Sequence, residues 1–185
     1  MKASFALRPA TALRGPGRQV AAVALGIAAL TLSSHVAVPM VPVPVTMQTF
    51  AVTMVGALLG ARLGATTVAV WLAEAAAGLP VLQGGAAGLG PFAGPTAGYL
   101  WAFPLAAALV GLLVERGWDG RRPVSAFGAM LLGNALCLAV GGAWLARLIG
   151  APAALAAGVL PFLLGGALKS ALGAAILRAL PARRP

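Results

Sequence analysis

The stretch that decides the fold is residues 95–115, "PTAGYLWAFPLAAALVGLLVE", whose first twenty residues carry no charge. A helix needs roughly 20 consecutive, mostly apolar residues to cross the hydrocarbon core of a bilayer. This stretch is therefore predicted to be a transmembrane helix.

The composition extends this prediction to the rest of the chain. Of the 185 residues, 61% are hydrophobic and 9% are charged, and the mean hydropathy is +0.97. Soluble domains have about 45–50% apolar and about 25% charged residues, and disordered chains have low hydrophobicity. The composition thus disfavours a soluble fold and rules out disorder. The apolar residues suffice for about five or six spans.

Apolar runs separated by proline, glycine or charged residues predict an all-α membrane protein of six transmembrane helices. The predicted spans are 18–38, 45–61, 63–79, 95–115, 124–148 and 156–180. They form one membrane domain over 18–180, between a basic N-terminal segment (1–17) and a basic tail (181–185). The run 20–32 could also be the core of a signal peptide. Because its leader is long and broken by proline, and five more apolar runs follow, we interpret it as the first span.

The thirteen Lys and Arg residues, against three Asp and Glu, predict the topology. Cytoplasmic loops of membrane proteins collect Lys and Arg, and six spans place eleven basic residues on the side of both termini. These are Lys2, Arg8, Arg14, Arg18, Arg62, Arg116, Arg121, Arg122, Arg178, Arg183 and Arg184. Arg147 alone falls on the other side, so both termini are predicted to be cytoplasmic. The location of the basic residues on the cytoplasmic side explains the net charge of +10 without a nucleic-acid partner.

The segments predicted to face outward are 39–44, 80–94 and 149–155. They carry no charge, and the first two are rich in Pro and Gly and also contain apolar residues. Irregular backbone at membrane depth is tolerated only where it is buried in protein or lines a cavity. Loops 39–44 and 80–94 are therefore expected to fold over the outer mouth of the bundle and cap a pocket. Ordinary connecting loops are the alternative.

Motifs of catalysis are nearly absent from the sequence. His35 and Glu74 could meet, but a lone histidine at the end of a span is more often a packing or interfacial residue. "GGALKS" lacks the glycine that a P-loop requires before its lysine, and Cys, His and acidic residues do not cluster as zinc ligands do. We predict no enzyme activity, no cofactor and no metal site.

Lys169 is the main candidate for ligand binding. It lies inside the last predicted span, about eleven residues from the cytoplasmic end. A lysine at the centre of a span costs at least ~2.5–3.5 kcal/mol and suggests a functional site. An anionic ligand group is the favoured partner, and Glu74 as an internal counter-charge is the alternative.

Other polar and aromatic residues in the spans and loops complete the candidate site. Asn134 lies in mid-span, where it either contacts ligand or bonds a neighbouring helix. The remaining candidates are Thr46, Gln48, Gln83, Tyr99, Trp101 and Trp144. Thr46 and Gln48 begin the second span, and Gln83 begins the glycine-rich loop. The three aromatic side chains are either pocket walls or part of the interfacial belt.

Small residues in the first span are spaced for close helix contact. Ala24 and Ala28 are four residues apart, and so are Ala22 and Gly26. Such pairs let helix backbones approach each other in a membrane. They predict a helix contact on this span.

Four segments in this order resemble the BioY family, the biotin-binding S components of energy-coupling factor (ECF) transporters. They are "VPVPVTMQTFAVTMVGALLGARLG" (41–64), "GLPVLQGG" (78–85), "GPTAGYLWAFP" (94–104) and "PFLLGGALKSALGAA" (161–175). The resemblance covers 20–180. It implies a six-helix S component in the bacterial cytoplasmic (inner) membrane that captures biotin from outside with high affinity. The loops after the first and third spans would close the site.

The resemblance also implies partners. Transport by this family requires a transmembrane coupling subunit and two cytoplasmic ATPase subunits, and small residues on the first helix meet the coupling subunit. Ala24 and Ala28 fit that role. Because some members are encoded without coupling partners, transport by this chain alone or as an oligomer stays open.

One departure from the family pattern lies beside Lys169. Many relatives read Pro-Phe-x-x-Gly-Asp-x-x-Lys, whereas this chain has Gly166 in place of the aspartate. Lys169 then lacks a local counter-charge, which favours its pairing with the valerate carboxylate of biotin. Asn134, Gln48 or Gln83 would accept hydrogen bonds from the ureido ring. Trp101, Tyr99 and Trp144 would flank the bicyclic ring system.

Two other functions stay open at this point. An S component of the same fold could bind thiamin or riboflavin in place of biotin. An intramembrane enzyme using His35 and Glu74 is the weaker alternative.

Overall fold

The computed structural model describes residues 15–180, and these form a bundle of helices as predicted. The six helices are α1 (Pro16–His35), α2 (Gln48–Leu59), α3 (Ala61–Ala76), α4 (Ala97–Glu115), α5 (Pro123–Ile149) and α6 (Ala151–Ala179). Most of their ends lie within about three residues of the predicted ones. The basic residues of 1–14 and the tail 181–185 lie outside the described residues, and the assignment of both termini to the cytoplasm stays a prediction.

Four of the helices, α1, α4, α5 and α6, are long and apolar enough to cross a membrane. Helix α2 has 12 residues and α3 has 16, which is shorter than the roughly 20 residues of a typical span. The two are joined at Gly60, whose φ of 86° favours glycine. The multi-pass architecture is thus confirmed, and the count of six spans stays a prediction.

Glycine explains how closely the central helices α2, α3 and α4 pack. A methyl group at Gly56 would overlap the backbone of Ala107, and one at Gly111 would overlap the backbone of Gly60 and Ala61. Gly64 likewise faces the Cα of Gly56 across the α2–α3 contact. Small residues give close backbone contact in a medium where the hydrophobic effect between helices is weak. The alanine- and glycine-rich sequence therefore has a packing role here.

The predicted loop over 149–155 is wrong, because α5 and α6 are separated by Gly150 alone. Its φ of 85° reverses the chain in one residue. Helix α6 then contains a π-helical segment at Leu155–Val159. Pro161 follows this segment and has no N–H to donate to the preceding turn. Within this segment, the Gly158 carbonyl accepts a hydrogen bond from Tyr99 Oη on α4.

Segments 39–44 and 80–94, here called the capping loops, lie at the same end of the bundle. The first connects β1 (Ala37–Val38) to β2 (Val45–Thr46), an antiparallel ribbon that the sequence did not predict. The second contains two short 3₁₀ turns, Gln83–Gly85 and Gly90–Phe92. Its backbone is held by the bond from Gly88 N to Ala75 O, 2.7 Å long. The capping loops are thus ordered by contacts with the bundle.

At the end of the bundle opposite the capping loops, Glu115 caps the N-terminus of α3. Its Oε1 accepts a 2.9 Å hydrogen bond from the backbone N–H of Ala61. The first N–H groups of a helix have no partner within the helix, so Glu115 satisfies one of them from the end of α4. The predicted span 95–115 ends at this residue, and the sequence contains no sign of this contact.

Candidate ligand-binding site

A cavity lies under the capping loops, between α2, α4, α5 and α6. Its empty volume, counted up to open solvent, is about 750 Å³. About 90 Å³ of that space admits the centre of a water molecule, so the cavity is narrow. Its lining is Val43, Pro44, Thr46, Gln48, Thr49, Leu82, Gln83, Ala86, Pro91, Thr96, Tyr99, Leu100, Phe103, Asn134, Leu138, Phe162, Gly166 and Lys169.

Lys169 is the only charged residue in this lining, within the part of the chain that the structure describes. Its ammonium group donates to the carbonyl oxygen of Thr46 and, over 3.3 Å, to Thr49 Oγ1. Both acceptors are neutral. Glu74 is not its counter-charge, because the single ion pair found over 15–180 is Arg121–Asp119 in the loop between α4 and α5. The positive charge therefore lacks a partner of opposite sign among the described residues.

Thr46 and Gln48 shape the entrance of α2. Thr46 Oγ1 donates to Gln48 Oε1 over 3.1 Å and accepts from the backbone N–H of Gln48 over 3.3 Å. Gln48 is 6% exposed, and its side-chain NH₂ donates to no protein group among the described residues. Gln83, in the first 3₁₀ turn of loop 80–94, also lines the cavity. Two amide side chains thus offer donors and acceptors to a ligand.

Asn134 both links two helices and lines the cavity. Its Nδ2 donates to Met130 O over 3.0 Å and to Ser170 Oγ over 3.2 Å. Ser170 in turn donates to Gly166 O over 2.7 Å. Both interpretations of Asn134 are therefore compatible, since its donors join α5 to α6 while its carbonyl oxygen has no hydrogen bond over 15–180.

Aromatic rings form the apolar wall of the cavity. Tyr99 stacks on Phe162 with ring centroids 6.2 Å apart, and Tyr99 Oη donates to Gly158 O over 2.7 Å. Phe103 stacks on the fully buried Trp71 behind it, at 6.4 Å. Because Tyr99 uses its hydroxyl to bind the π-helical segment, its ring is what it offers to a ligand.

Trp101 and Trp144 do not line the cavity. Trp101 is 55% exposed, and its Nε1 donates to Phe92 O over 3.3 Å. Trp144 donates from Nε1 to Gly94 O over 3.0 Å. Both indoles use their N–H to hold loop 80–94, because buried or half-buried indole N–H groups need an acceptor. The structure thus brings six of the eight predicted ligand residues to the cavity and places these two against the loop.

Sequence reasoning missed several lining residues. Thr49 contacts Lys169, but it stands at the start of an apolar helix, where a pattern of hydrophobicity does not single out a threonine. Phe103, Leu138 and Phe162 are apolar residues in apolar spans, and nothing in the sequence separates a residue facing the cavity from one facing lipid. Phe162 had one signal, its place in the "PFLLGGALK" segment.

His35 and Glu74, the pair of the enzyme alternative, are not joined by an ion pair within the described residues. His35 is exposed at the last turn of α1. Neither residue lines the cavity.

The small residues of α1 face two ways. Gly26 is buried, and a methyl group there would come within 2.8 Å of Thr67 on α3. Ala24 and Ala28 are exposed on the opposite side, next to the exposed Leu25 and Leu32. This face is exposed within the part of the chain that the structure describes and is of the kind that helix partners use.

A capped cavity with one cation and several amides, inside a bundle of apolar helices, defines a membrane protein that binds small molecules. Residues 5–185 match the family model described as BioY, and the chain belongs to the BioY family. The biotin transporter BioY of Rhizobium etli is 42% identical over 130 residues, which is 67% of this chain and 70% of the relative. The probable biotin transporter BioY of Pyrococcus horikoshii is 36% identical over 145 residues, covering 78% of this chain and 85% of the relative.

The fold has a counterpart among solved structures. The crystal structure of the S component for biotin from an ECF-type ABC transporter is similar with a TM-score of 0.78, at 28% sequence identity. The match covers 89% of this chain and 90% of that chain. The resemblance seen in the sequence and the S-component fold are both confirmed.

Proposed function

We propose that this chain captures biotin in the capped cavity and serves biotin uptake as the S component of an ECF-type transporter. The observation that carries the proposal is the ammonium group of Lys169, unpaired with any acid among the described residues and held in an otherwise neutral lining. A buried cation of this kind favours a monoanionic ligand. Biotin carries one carboxylate, and the relatives of this chain by sequence are biotin transporters.

The polar groups of the cavity suit the two ends of biotin. The valerate carboxylate would replace Thr46 O as the partner of Lys169 and accept from Thr49. The ureido ring needs acceptors for two N–H groups and donors for its oxygen, which Gln48, Gln83 and the carbonyl of Asn134 supply. Because Gly166 has no carboxylate, these amides take the acceptor role. The cavity is narrow, so the capping loops must part to admit the two fused rings.

The charge of the cavity also separates biotin from other vitamins. Thiamin carries a positive charge, which Lys169 would repel, and riboflavin carries no charge for Lys169 to pair with. Like charges buried close together cost far more than in water. We therefore expect neither vitamin to compete with biotin for the cavity.

The wider assembly follows from the family. A transmembrane coupling subunit would meet the exposed face of α1 at Ala24 and Ala28, and two ATPase subunits would supply the energy. The membrane domain 18–180 would lie in the bacterial cytoplasmic membrane, with the basic segments 1–17 and 181–185 in the cytoplasm and the capping loops outside. Non-enzymatic capture agrees with the transporter class of the family.

Equilibrium binding of radiolabelled biotin to the purified protein tests the proposal, with unlabelled biotin, thiamin and riboflavin as competitors. We expect biotin alone to compete, and Lys169→Ala to weaken binding by at least about tenfold, the effect of one lost charge-assisted bond. Leu168→Ala, at the neighbouring lipid-facing position (62% exposed), is the matched control and should bind as the wild type does. Displacement by thiamin or riboflavin, or unchanged binding by Lys169→Ala, would contradict the proposal.

A further inference from the structure

Loop 80–94 turns a large apolar side chain away from the bundle. Leu89 is 73% exposed, although it belongs to a loop that carries no charge and is held in place by hydrogen bonds. The backbone N–H of the preceding Gly88 donates to Ala75 O over 2.7 Å, and Leu89 O accepts a 3.1 Å bond from the N–H of Phe92. Exposed apolar surface is unfavourable in water, so an apolar medium around Leu89 would stabilise this arrangement.

The hydrogen bond between Gly88 and Ala75 sets the depth of Leu89 in a membrane. Ala75 lies in the last turn of α3, whose 16 residues measure about 24 Å along the helix axis. This is about 6 Å less than the thickness of a hydrocarbon core. Arg62, an exposed cation, lies in the first turn at the other end of the helix. With its guanidinium among the headgroups on that side, the last turn of α3 ends at or inside the opposite hydrocarbon boundary.

The exposed face of α4 leads directly to this loop. Trp101, Leu105 and Leu112 are all exposed, and their spacing of four and seven residues places them on one face of the helix. Because α4 is long and apolar enough to cross a membrane, lipid covers such a face. The Trp101 ring lies 5.4 Å from the Phe92 ring, and its Nε1 donates to Phe92 O. Apolar surface is therefore continuous from α4 to the turn that carries Leu89.

The backbone of the loop suits the membrane interface and not the hydrocarbon core. Lipid-exposed irregular backbone does not occur in the core, because each unpaired N–H or C=O is costly there. Gly90 O accepts from the N–H groups of Ala93 and Gly94, each over 3.1 Å. The N–H of Leu89, in contrast, donates to no protein group among the described residues. It needs the water and polar headgroups that the interface provides.

We infer that loop 80–94 lies in the membrane interface at the capped end, with the Leu89 side chain among the acyl chains of that leaflet. Trp101 beside it belongs to the amphipathic aromatic residues that favour this region. Lipid then covers the outer side of the loop, while Leu82 and Gln83 line the cavity on its inner side. The inference goes beyond the proposed function and does not depend on which ligand the cavity binds.

Spin labels in the full chain, reconstituted into liposomes of phosphatidylcholine and phosphatidylglycerol, test the inference. The label is attached at Leu89→Cys, at Leu105→Cys on the lipid-facing side of α4, or at Arg121→Cys in the loop at the opposite end. Cys137 is buried, so the unsubstituted chain measures the background of labelling. Relaxation of each label by oxygen, which concentrates in lipid, is compared with relaxation by a water-soluble nickel chelate.

We expect oxygen to relax the label of Leu89→Cys more than the chelate does, as in Leu105→Cys, and the order to be reversed in Arg121→Cys. An unchanged midpoint of thermal unfolding shows that Leu89→Cys is folded. Relaxation by the chelate as strong in Leu89→Cys as in Arg121→Cys would place the loop in water and overturn the inference. Weak relaxation by both reagents would overturn it too, because protein, such as a second copy of this chain, would then cover Leu89. Either result would leave the proposed function intact, since no ligand enters the measurement.

Discussion

Ser34 Oγ donates a 2.7 Å hydrogen bond to the carbonyl oxygen of Val81, a buried contact that ties the last turn of α1 to loop 80–94. The same hydroxyl lies 2.7 Å from Thr31 O in its own helix, so its one proton serves two acceptors. Val81 is followed by Leu82 and Gln83, which line the cavity. The helix whose outer face carries Ala24 and Ala28 is thus bonded to a loop that closes the candidate site.

Removing this hydroxyl should loosen the closed loop. A net hydrogen bond contributes about 0.5–1.5 kcal/mol, so Ser34→Ala is expected to speed dissociation of bound biotin by about fivefold. Ser33→Ala is the matched control, because Ser33 Oγ bonds only Leu30 O within α1. Dissociation rates measured by chase with unlabelled biotin distinguish the two variants. Equal rates in Ser34→Ala and Ser33→Ala would contradict a role for this contact in closure.

Trp144 should stabilise the same loop from the other side. Trp144→Phe keeps most of the ring and loses the N–H that bonds Gly94 O. We expect biotin affinity to fall by about threefold to tenfold, about 1 kcal/mol, because the loop and not the ligand has lost a contact. Trp118→Phe, in the loop at the opposite end of the bundle, should leave affinity unchanged in the same titration. A direct ligand contact of Trp144 would instead be indicated by a loss well beyond tenfold.

Asn134 is expected to affect both stability and binding. Asn134→Leu removes the bond to Ser170 and leaves that hydroxyl with Gly166 O as its remaining partner. Interhelical hydrogen bonds in membrane proteins contribute about 0.6 kcal/mol on average, so the midpoint of thermal unfolding should fall by a few degrees. Ser170→Ala breaks the same bond without touching the lining. If Asn134 also contacts ligand, biotin affinity should fall in Asn134→Leu and be kept in Ser170→Ala.

Glu115 should contribute to stability away from the ligand. Loss of a helix N-cap typically costs about 0.5–2 kcal/mol, so Glu115→Ala is expected to lower thermal stability, whereas Glu115→Gln keeps an acceptor oxygen for Ala61 N and should retain most of it. Asp119→Ala is the comparison, since its exposed ion pair with Arg121 contributes little. Biotin affinity should not change in any of the three. A stability loss in Asp119→Ala as large as in Glu115→Ala would argue against the capping role.

The exposed face of α1 should matter for uptake and not for binding. Ala28→Phe adds bulk at a position that is exposed in the isolated chain, so equilibrium binding of biotin to the purified protein is expected to match the wild type. Uptake of labelled biotin by cells that also produce the coupling and ATPase subunits should fall at least about tenfold. Ala171→Phe on α6 is the control for added bulk. Normal uptake by Ala28→Phe would place the partner elsewhere.

Much of this architecture follows from the sequence alone, because it depends on properties of single segments. An uncharged run such as 95–114 is long enough to span a bilayer, and Lys169 stands out because a cation inside a span is costly. The apolar, proline- and glycine-rich composition of the capping loops indicates that these loops are covered by protein. These features are local, and each is visible without knowledge of its neighbours.

Tertiary structure decided which side of each helix turns toward the cavity and which side turns toward lipid. An apolar span gives no signal of which side turns inward, so Thr49 and Phe162 at the cavity could not be told from residues at the lipid. Trp144 and Trp101 had the composition of a pocket wall, but their N–H groups are satisfied by loop carbonyls that only the fold brings near. The start of α6 at Ala151 depended on the one-residue reversal at Gly150. Gly166 marked a departure in the sequence, and only the packing of α5 against α6 placed it beside Asn134 in the lining of the cavity.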